Sequence, residues 1–235
     1  MITAYIVPMT DLAPIKPAPL KRGDLRNALI CYARAETDAG RIDCMSLRAA
    51  ARDLGVSSGA VYRHFDDKDG LLKAVAHLGF QEMRAEFIRI RPEGCAAGSA
   101  ELAAGRAFRM GRAFVRFAHE HPALWRMMFG RIGLLCQADK HADVGEMRYT
   151  ILDCTQENIL DLHRLGATPE APTVEDTRFM WAAIHGAADL TQCKLQSGEC
   201  CVRDIADQTT DRSLRALGCD RAVIRAGRAL ADTGS

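Results

Sequence analysis

SLRAAARDLGVSSGAVYRHF, residues 46–65, decides how this chain is read. Leu47, Ala50, Ala51 and Leu54 recur at helical spacing and line one face of a short helix. Ser46 stands where a helix cap belongs. Gly55 permits the positive φ of a tight turn, and Val56 follows it as an apolar plug. Ala51, four residues before Gly55, is small enough for a second helix to cross closely. That helix starts at Ser57 and ends near Phe65, with Val61 and Phe65 turned inward. Two short helices joined by so tight a turn spell a helix-turn-helix, with the pair at about 90–120°. The outer face of the second helix carries Ser58, Gly59, Tyr62 and Arg63. Its small N-terminal residues suit the floor of a groove, and its free backbone N–H groups suit phosphate.

Working outward, the pattern stays helical. A first helix spans about 24–39, with Leu25, Leu29, Tyr32 and Ala33 on one side and Gly40 as its stop. Asp66 and Asp67 open a long fourth helix, 68–90. RPEGCAAGSA (91–100) reads as a linker. Further helices are expected at 101–120, 122–129, 142–165, 174–197 and 202–217, with Pro122 in a first turn. Val/Ile/Thr alternation of the strand kind is missing. The expected fold is all-α: an N-terminal three-helix helix-turn-helix DNA-binding domain joined to a larger helical domain. The expected divisions are an arm at 1–20, rich in proline and without the basic start of a signal peptide, a head at 21–80 and a body at 81–235.

The bulk numbers narrow the classes. At 235 residues the chain can bury a real core, and 48% hydrophobic with 26% charged residues is ordinary globular composition. The net charge of +1 excludes a polycation, so a nucleic-acid role needs locally placed charge. Lys21, Arg22, Arg26, Arg48 and Lys68 are the residues that would have to cluster toward phosphates. No apolar run reaches the roughly 18 residues of a membrane span, so no membrane partner and a cytoplasmic location are expected. Nine cysteines lack C-x-x-C spacing and read as reduced apolar residues. Cys44, Cys200 and Cys201 are the candidates for a thiol sensor. No nucleophile elbow, P-loop, zinc-protease or dinucleotide motif is present, so neither an enzyme nor a cofactor or metal is expected.

The runs GDLRNAL (23–29) and SLRAAARDLGVSSGAVYRHFDDKDGLLKAV (46–75) resemble the DNA-binding domain of the TetR family of bacterial regulators. The most specific element is Tyr62-Arg63-His64-Phe65 with Lys68. The resemblance implies that Tyr62, His64 and Lys68 contact the DNA backbone, while Ser57, Ser58, Gly59 and Ala60 enter the major groove. Ser46 and Arg63 complete the candidate contact set; Ser57 reads equally well as a helix cap. One departure is the end of the first helix, Ala35-Glu36-Thr37-Asp38, which is more polar than the family's apolar pair.

HEHPALWRMMFG (119–130) and WAAIHGAADL (181–190) resemble the family's C-terminal domains named for a Trp-His-Gly signature. The resemblance implies a ligand cavity and a dimer interface built from 174–197 and 202–217. Met110, Phe114, Phe117, Trp125, Phe129, Trp181 and His185 are the candidate lining of a pocket for an apolar small-molecule effector. The same cluster reads as plain core, and His185 as either polar anchor or core histidine. The implied partners are double-stranded operator DNA, the effector and a second copy of the chain. The implied role is a repressor released from its operator by the effector. An effector-independent architectural DNA binder and a thiol-based redox sensor are the competing readings.

Overall fold

The computed structural model describes residues 24–138, 150–192 and 202–233. The N-terminal arm, Lys21, Arg22, Cys193, Cys200, Cys201, residues 142–149 and residues 193–197 lie outside them. Helices form the whole of the regular structure among the described residues. They are α1 (Leu25–Asp38), α2 (Leu47–Asp53), α3 (Ser58–Tyr62), α4 (Lys68–Ile90), α5 (Ala100–Glu120), α6 (Pro122–Phe129), α7 (Arg131–Ala138), α8 (Ile151–Arg164), α9 (Val174–Leu190), α10 (Val202–Ala216) and α11 (Arg221–Thr233). No described helix is long and apolar enough to cross a membrane.

The head gathers α1 to α3 with the start of α4, on which α1 packs. Ser46 caps α2 by accepting from the Ala49 N–H at 3.1 Å, and Ser57 caps α3 through Ala60 at 3.3 Å. Gly55 sits at φ +70°, and Val56 donates its N–H to the Ala51 carbonyl at 2.9 Å. Leu29, Ala50, Val61, Leu71 and Val75 are sealed at its centre. The polar end of α1 packs nonetheless. Thr37 is fully buried because its hydroxyl donates back to the Ala33 carbonyl at 2.8 Å, leaving its methyl for the core. Arg34 then reaches Glu82 of α4 with two contacts of 3.0 Å.

In the body, α5 is the axis on which α4, α6, α8, α9, α10 and α11 all pack. Two helices expected from sequence need correcting. The helix expected at 142–165 is described from Ile151, where Thr150 and Asp153 form a reciprocal capping box. The helix expected at 174–197 ends at Leu190, and Thr191 turns back onto the Ala188 carbonyl. Two helices were not anticipated, α7 and α11. The latter lies against α5 over a seam of small residues: a Cβ on Gly227 would stand 2.4 Å from the Ala104 Cβ and 2.8 Å from the Gly105 nitrogen. Asp207, 1% exposed, clasps Arg112 of α5 at 2.6 and 2.9 Å and Arg228 of α11 at 3.1 Å.

The seam yields a stability test. Gly227→Leu drives a branched side chain into α5 and is expected to cost about 1–3 kcal/mol. Ala222→Leu, on the exposed side of the same helix, should stay within about 0.5 kcal/mol of the parent. Urea denaturation checks both, through a lowered midpoint at unchanged slope. Equal effects from the two variants would mean that α11 is not seated on α5.

Candidate nucleic-acid interface and ligand chambers

The outer side of α3 is bare. Tyr62 is 43% exposed, and Ser46, Ser57, Ser58, Gly59, Arg63 and His64 are exposed with it, while Ala60 is half-buried. Gly59 has nothing within 4 Å of where a Cβ would lie, so close approach to this end of the helix is unobstructed. Behind this face Val61 and Phe65 are buried. The inward and outward sets are those the 3.6-residue period dictates. Both serines already accept from backbone N–H groups as caps, which leaves their hydroxyl protons free to donate.

The flanking cations divide into two groups. Arg48 and Arg63 are exposed and make no ion pair among the described residues. Arg26 lies over the Phe65 ring at 5.5 Å. Lys68 is half-buried and donates to the carbonyls of Ile42 and Asp43 at 2.6 and 3.0 Å, tying α4 to the turn before α2. Two of its three protons are therefore engaged within the head. Tyr32 of α1 donates to Asp53 of α2 at 2.7 Å, a bond that pushes its phenol up to about 12. Next to Lys68, Asp69 of α4 grips Arg131 of α7 at 2.7 and 2.8 Å. The Arg131 guanidinium holds the Asp69 carboxyl below the usual aspartate range.

In the body, Phe114, Trp125, Phe129, Trp181 and His185 come together in one stacked group. Centroid distances are 5.0 Å for Phe114–Trp125 and Phe114–Trp181, 4.4 Å for Trp125–Phe129 and 4.6 Å for Phe129–His185. Edge-to-face contacts of this kind add to plain apolar burial. The group is mainly a partition between two chambers. A wider chamber of about 320 Å³ lies between α4, α6, α7, α8 and α9, with Phe80, Phe129, Cys136, Ile151 and Trp181 among its walls. A narrower one lies between α4, α5, α8, α9 and α10, with Phe87, Met110, Phe114, Asn158 and Trp181 among its walls. Trp181 faces both.

The candidate pocket residues thus separate. Met110, Phe114, Phe129 and Trp181 line a chamber. Trp125 is 2% exposed, outside either lining, with its indole N–H on Asp189 at 2.7 Å. Phe117 stands apart, stacked on His121 at 5.0 Å. His185 lines neither chamber; burial lowers its pKa against a weaker pull from Asp189, and its Nδ1 has no hydrogen-bond partner. Asn158 and the hydroxyls of α10 were not foreseen. The available signal was an asparagine in the otherwise apolar row Ile151, Cys154, Asn158, Leu162. Among thiols, Cys44 is exposed and Cys154 and Cys219 are buried, with burial pushing Cys219 up to about 11.

Residues 42–75 match the family described as bacterial regulatory proteins, tetR family, and residues 107–217 match the tetracyclin repressor-like C-terminal domain. The chain is similar to a solved protein of unknown function from Rhodococcus sp. RHA1, at 25% identity and a TM-score of 0.65, over 85% of this chain and 98% of that one. It is also similar to a bacterial regulatory protein in the tetR family from Rhodococcus RHA1, at 21% identity and a TM-score of 0.60, over 83% and 97% of the two chains. A third likeness is to SmeT in complex with triclosan, at 15% identity and a TM-score of 0.58, over 84% and 93%. The second and third likenesses concern fold alone. No curated protein sequence matches the chain.

The Asp69–Arg131 link has a pH signature. With its folded-state pKa lowered, Asp69 stabilises the fold above the usual aspartate range, and that contribution disappears as acid protonates it. Asp69→Asn should melt below the parent at neutral pH, with a gap that closes as buffers are taken down through and below that range. A gap independent of pH would show that the charge on Asp69 contributes nothing.

Proposed function

Because the chain belongs to the TetR family of transcription regulators, whose two regions together match more than half of it, we propose that it is a cytoplasmic, homodimeric repressor released from operator DNA by a small apolar effector. The observation that carries the DNA half is the bare outer side of α3, with Tyr62, Arg63 and His64 exposed over a buried Val61 and Phe65. Ser57 to Ala60 meet the major groove. Tyr62 and His64 donate to phosphate oxygens, Arg48 adds an ionic contact, and Lys68 adds one through its remaining proton. The Trp181 and His185-Gly186 pattern supports membership of the Trp-His-Gly subclass.

Dimerisation rests on α9. Its outer row Phe179, Ala182, Gly186 and Leu190 is exposed, with Phe179 at 53% and Leu190 at 51%. A Cβ on Gly186 would meet open space, so a partner helix can approach there. Paired with α10, this row supplies half of a four-helix bundle. The two copies of α3 then reach successive major grooves about 34–36 Å apart.

Release follows from unequal affinity for two conformers. The chambers flank Trp181, and α4 walls both of them through Phe80 and Phe87. The same helix carries the head at its start, where Asp69 is bound to Arg131. An effector that fits only a widened body pushes on α4 and α7 and changes the separation of the two heads.

Two outcomes are expected. Selection from a pool of random duplexes should recover a two-fold-related site. By fluorescence anisotropy on that site, Arg63→Ala should weaken binding about tenfold or more. Arg48→Ala should weaken all duplexes alike and lower the salt slope by about one. No duplex bound above background would overturn the reading. In light scattering, Phe179→Glu should halve the mass and lower DNA affinity with it; an unchanged mass would remove α9 from the interface.

A further inference from the structure

Asn158 is 1% exposed, and its Nδ2 donates to the Ala103 carbonyl at 2.9 Å. A carbonyl can only accept, so the amide orientation is settled: nitrogen toward Ala103, oxygen away from it. That Oδ1 is buried and has no hydrogen-bond partner in the protein. A buried acceptor left dry is costly, so the arrangement calls for a donor from outside the chain.

The residue lines the narrower chamber, which offers about 50 Å³ of room for water-sized guests inside about 520 Å³ of atom-free space that includes its open mouth. Its lining is largely apolar and includes the rings of Phe87, Phe114 and Trp181. Its polar lining residues include Asn158 of α8 with Thr210 and Ser213 of α10. Among the described residues, no charged side chain lines it. An ion entering would lose its hydration with no counter-charge to replace it, so charged guests are excluded. Met110 and Met180 stand in the wall, and unbranched thioethers repack readily when a ring needs space.

We propose that Asn158 is the specificity-determining residue of the effector site, and that the effector is a small neutral molecule with a ring-sized apolar body and one hydroxyl or N–H group donated to Asn158 Oδ1. This deepens the effector reading above and rests on it. The aromatic wall takes the ring, and the amide oxygen selects the donor. An analogue of the same shape without the donor leaves Oδ1 unpaired and is rejected on that ground.

The probes are phenol, anisole, toluene and benzoate, titrated against the full-length protein by tryptophan fluorescence and calorimetry, Trp181 being in the chamber wall. Phenol should bind at least tenfold more tightly than anisole or toluene, and benzoate should not saturate. In Asn158→Leu the advantage of phenol over toluene should vanish. Anisole or toluene binding as well as phenol, an advantage that survives in Asn158→Leu, or no binding by any probe (a chamber that holds water only) would each overturn the proposal. The comparison on the parent protein needs no variant, so the test stands even if Asn158→Leu does not fold. Duplex binding by the parent without probe is measured alongside. Its loss would count against the regulator reading, whereas a missing donor preference with duplex binding intact counts against Asn158 alone.

Discussion

The continuity of α4 is the constraint on which the rest of the structure depends. Twenty-three residues in one unbroken helix span about 35 Å. Leu71, Leu72 and Val75 on its first half close the core of the head, while Met83 and Phe87 on its second half belong to the body. The helix is also held at intervals along its length. Lys68 and Asp69 fix its start, Gly79 admits Leu124 and Met128 of α6 with no space for a Cβ, and Arg91 ends it in a buried pair with Asp161 at 3.1 Å. A rod so attached cannot tilt at one end without moving the other. This continuity is the physical basis on which the proposed coupling between the body and α3 rests.

Charge is used differently in the two halves. In the body, buried carboxylates gather arginines: Arg112 and Arg228 meet on Asp207, and Arg91 on Asp161. Both carboxylates are 1% exposed, so removing either partner would strand a charge away from water. In the head, Arg48 and Arg63 are exposed and make no ion pair among the described residues. At a net charge of only +1, a basic surface has to come from where such cations are placed.

The aromatic group around Trp181 is a partition with a chamber on each side, which explains why so many rings gather without forming one open pocket. Phe114 and Phe129 pack on it from two helices, and His185 fills the remaining edge. On the side of the narrower chamber the rings are bordered by Met110 and Met180, unbranched side chains that repack readily.

The head was legible from residues alone because every signal in it is local. The caps Ser46 and Ser57, the turn at Gly55 and the alternation of buried Val61 with exposed Tyr62 act within a few residues of one another. The bounds of α4 and α6 were legible for the same reason, Asp67 and Pro122 marking their starts. What the amphipathic pattern leaves open is which apolar faces meet. The place of α11 depends on two glycines 122 positions apart coming into register, Gly105 and Gly227. Lys68 turning to the Ile42 and Asp43 carbonyls, Phe117 leaving the aromatic group, and Asn158 losing a partner for its oxygen are likewise outcomes of packing between distant helices. The sequence by itself determined the head's helices, the bounds of α4 and α6 and the face that α3 presents, through short-range hydrogen bonds and a 3.6-residue period. The tertiary structure alone decided the chambers, because a cavity is what remains when distant side chains have packed against one another.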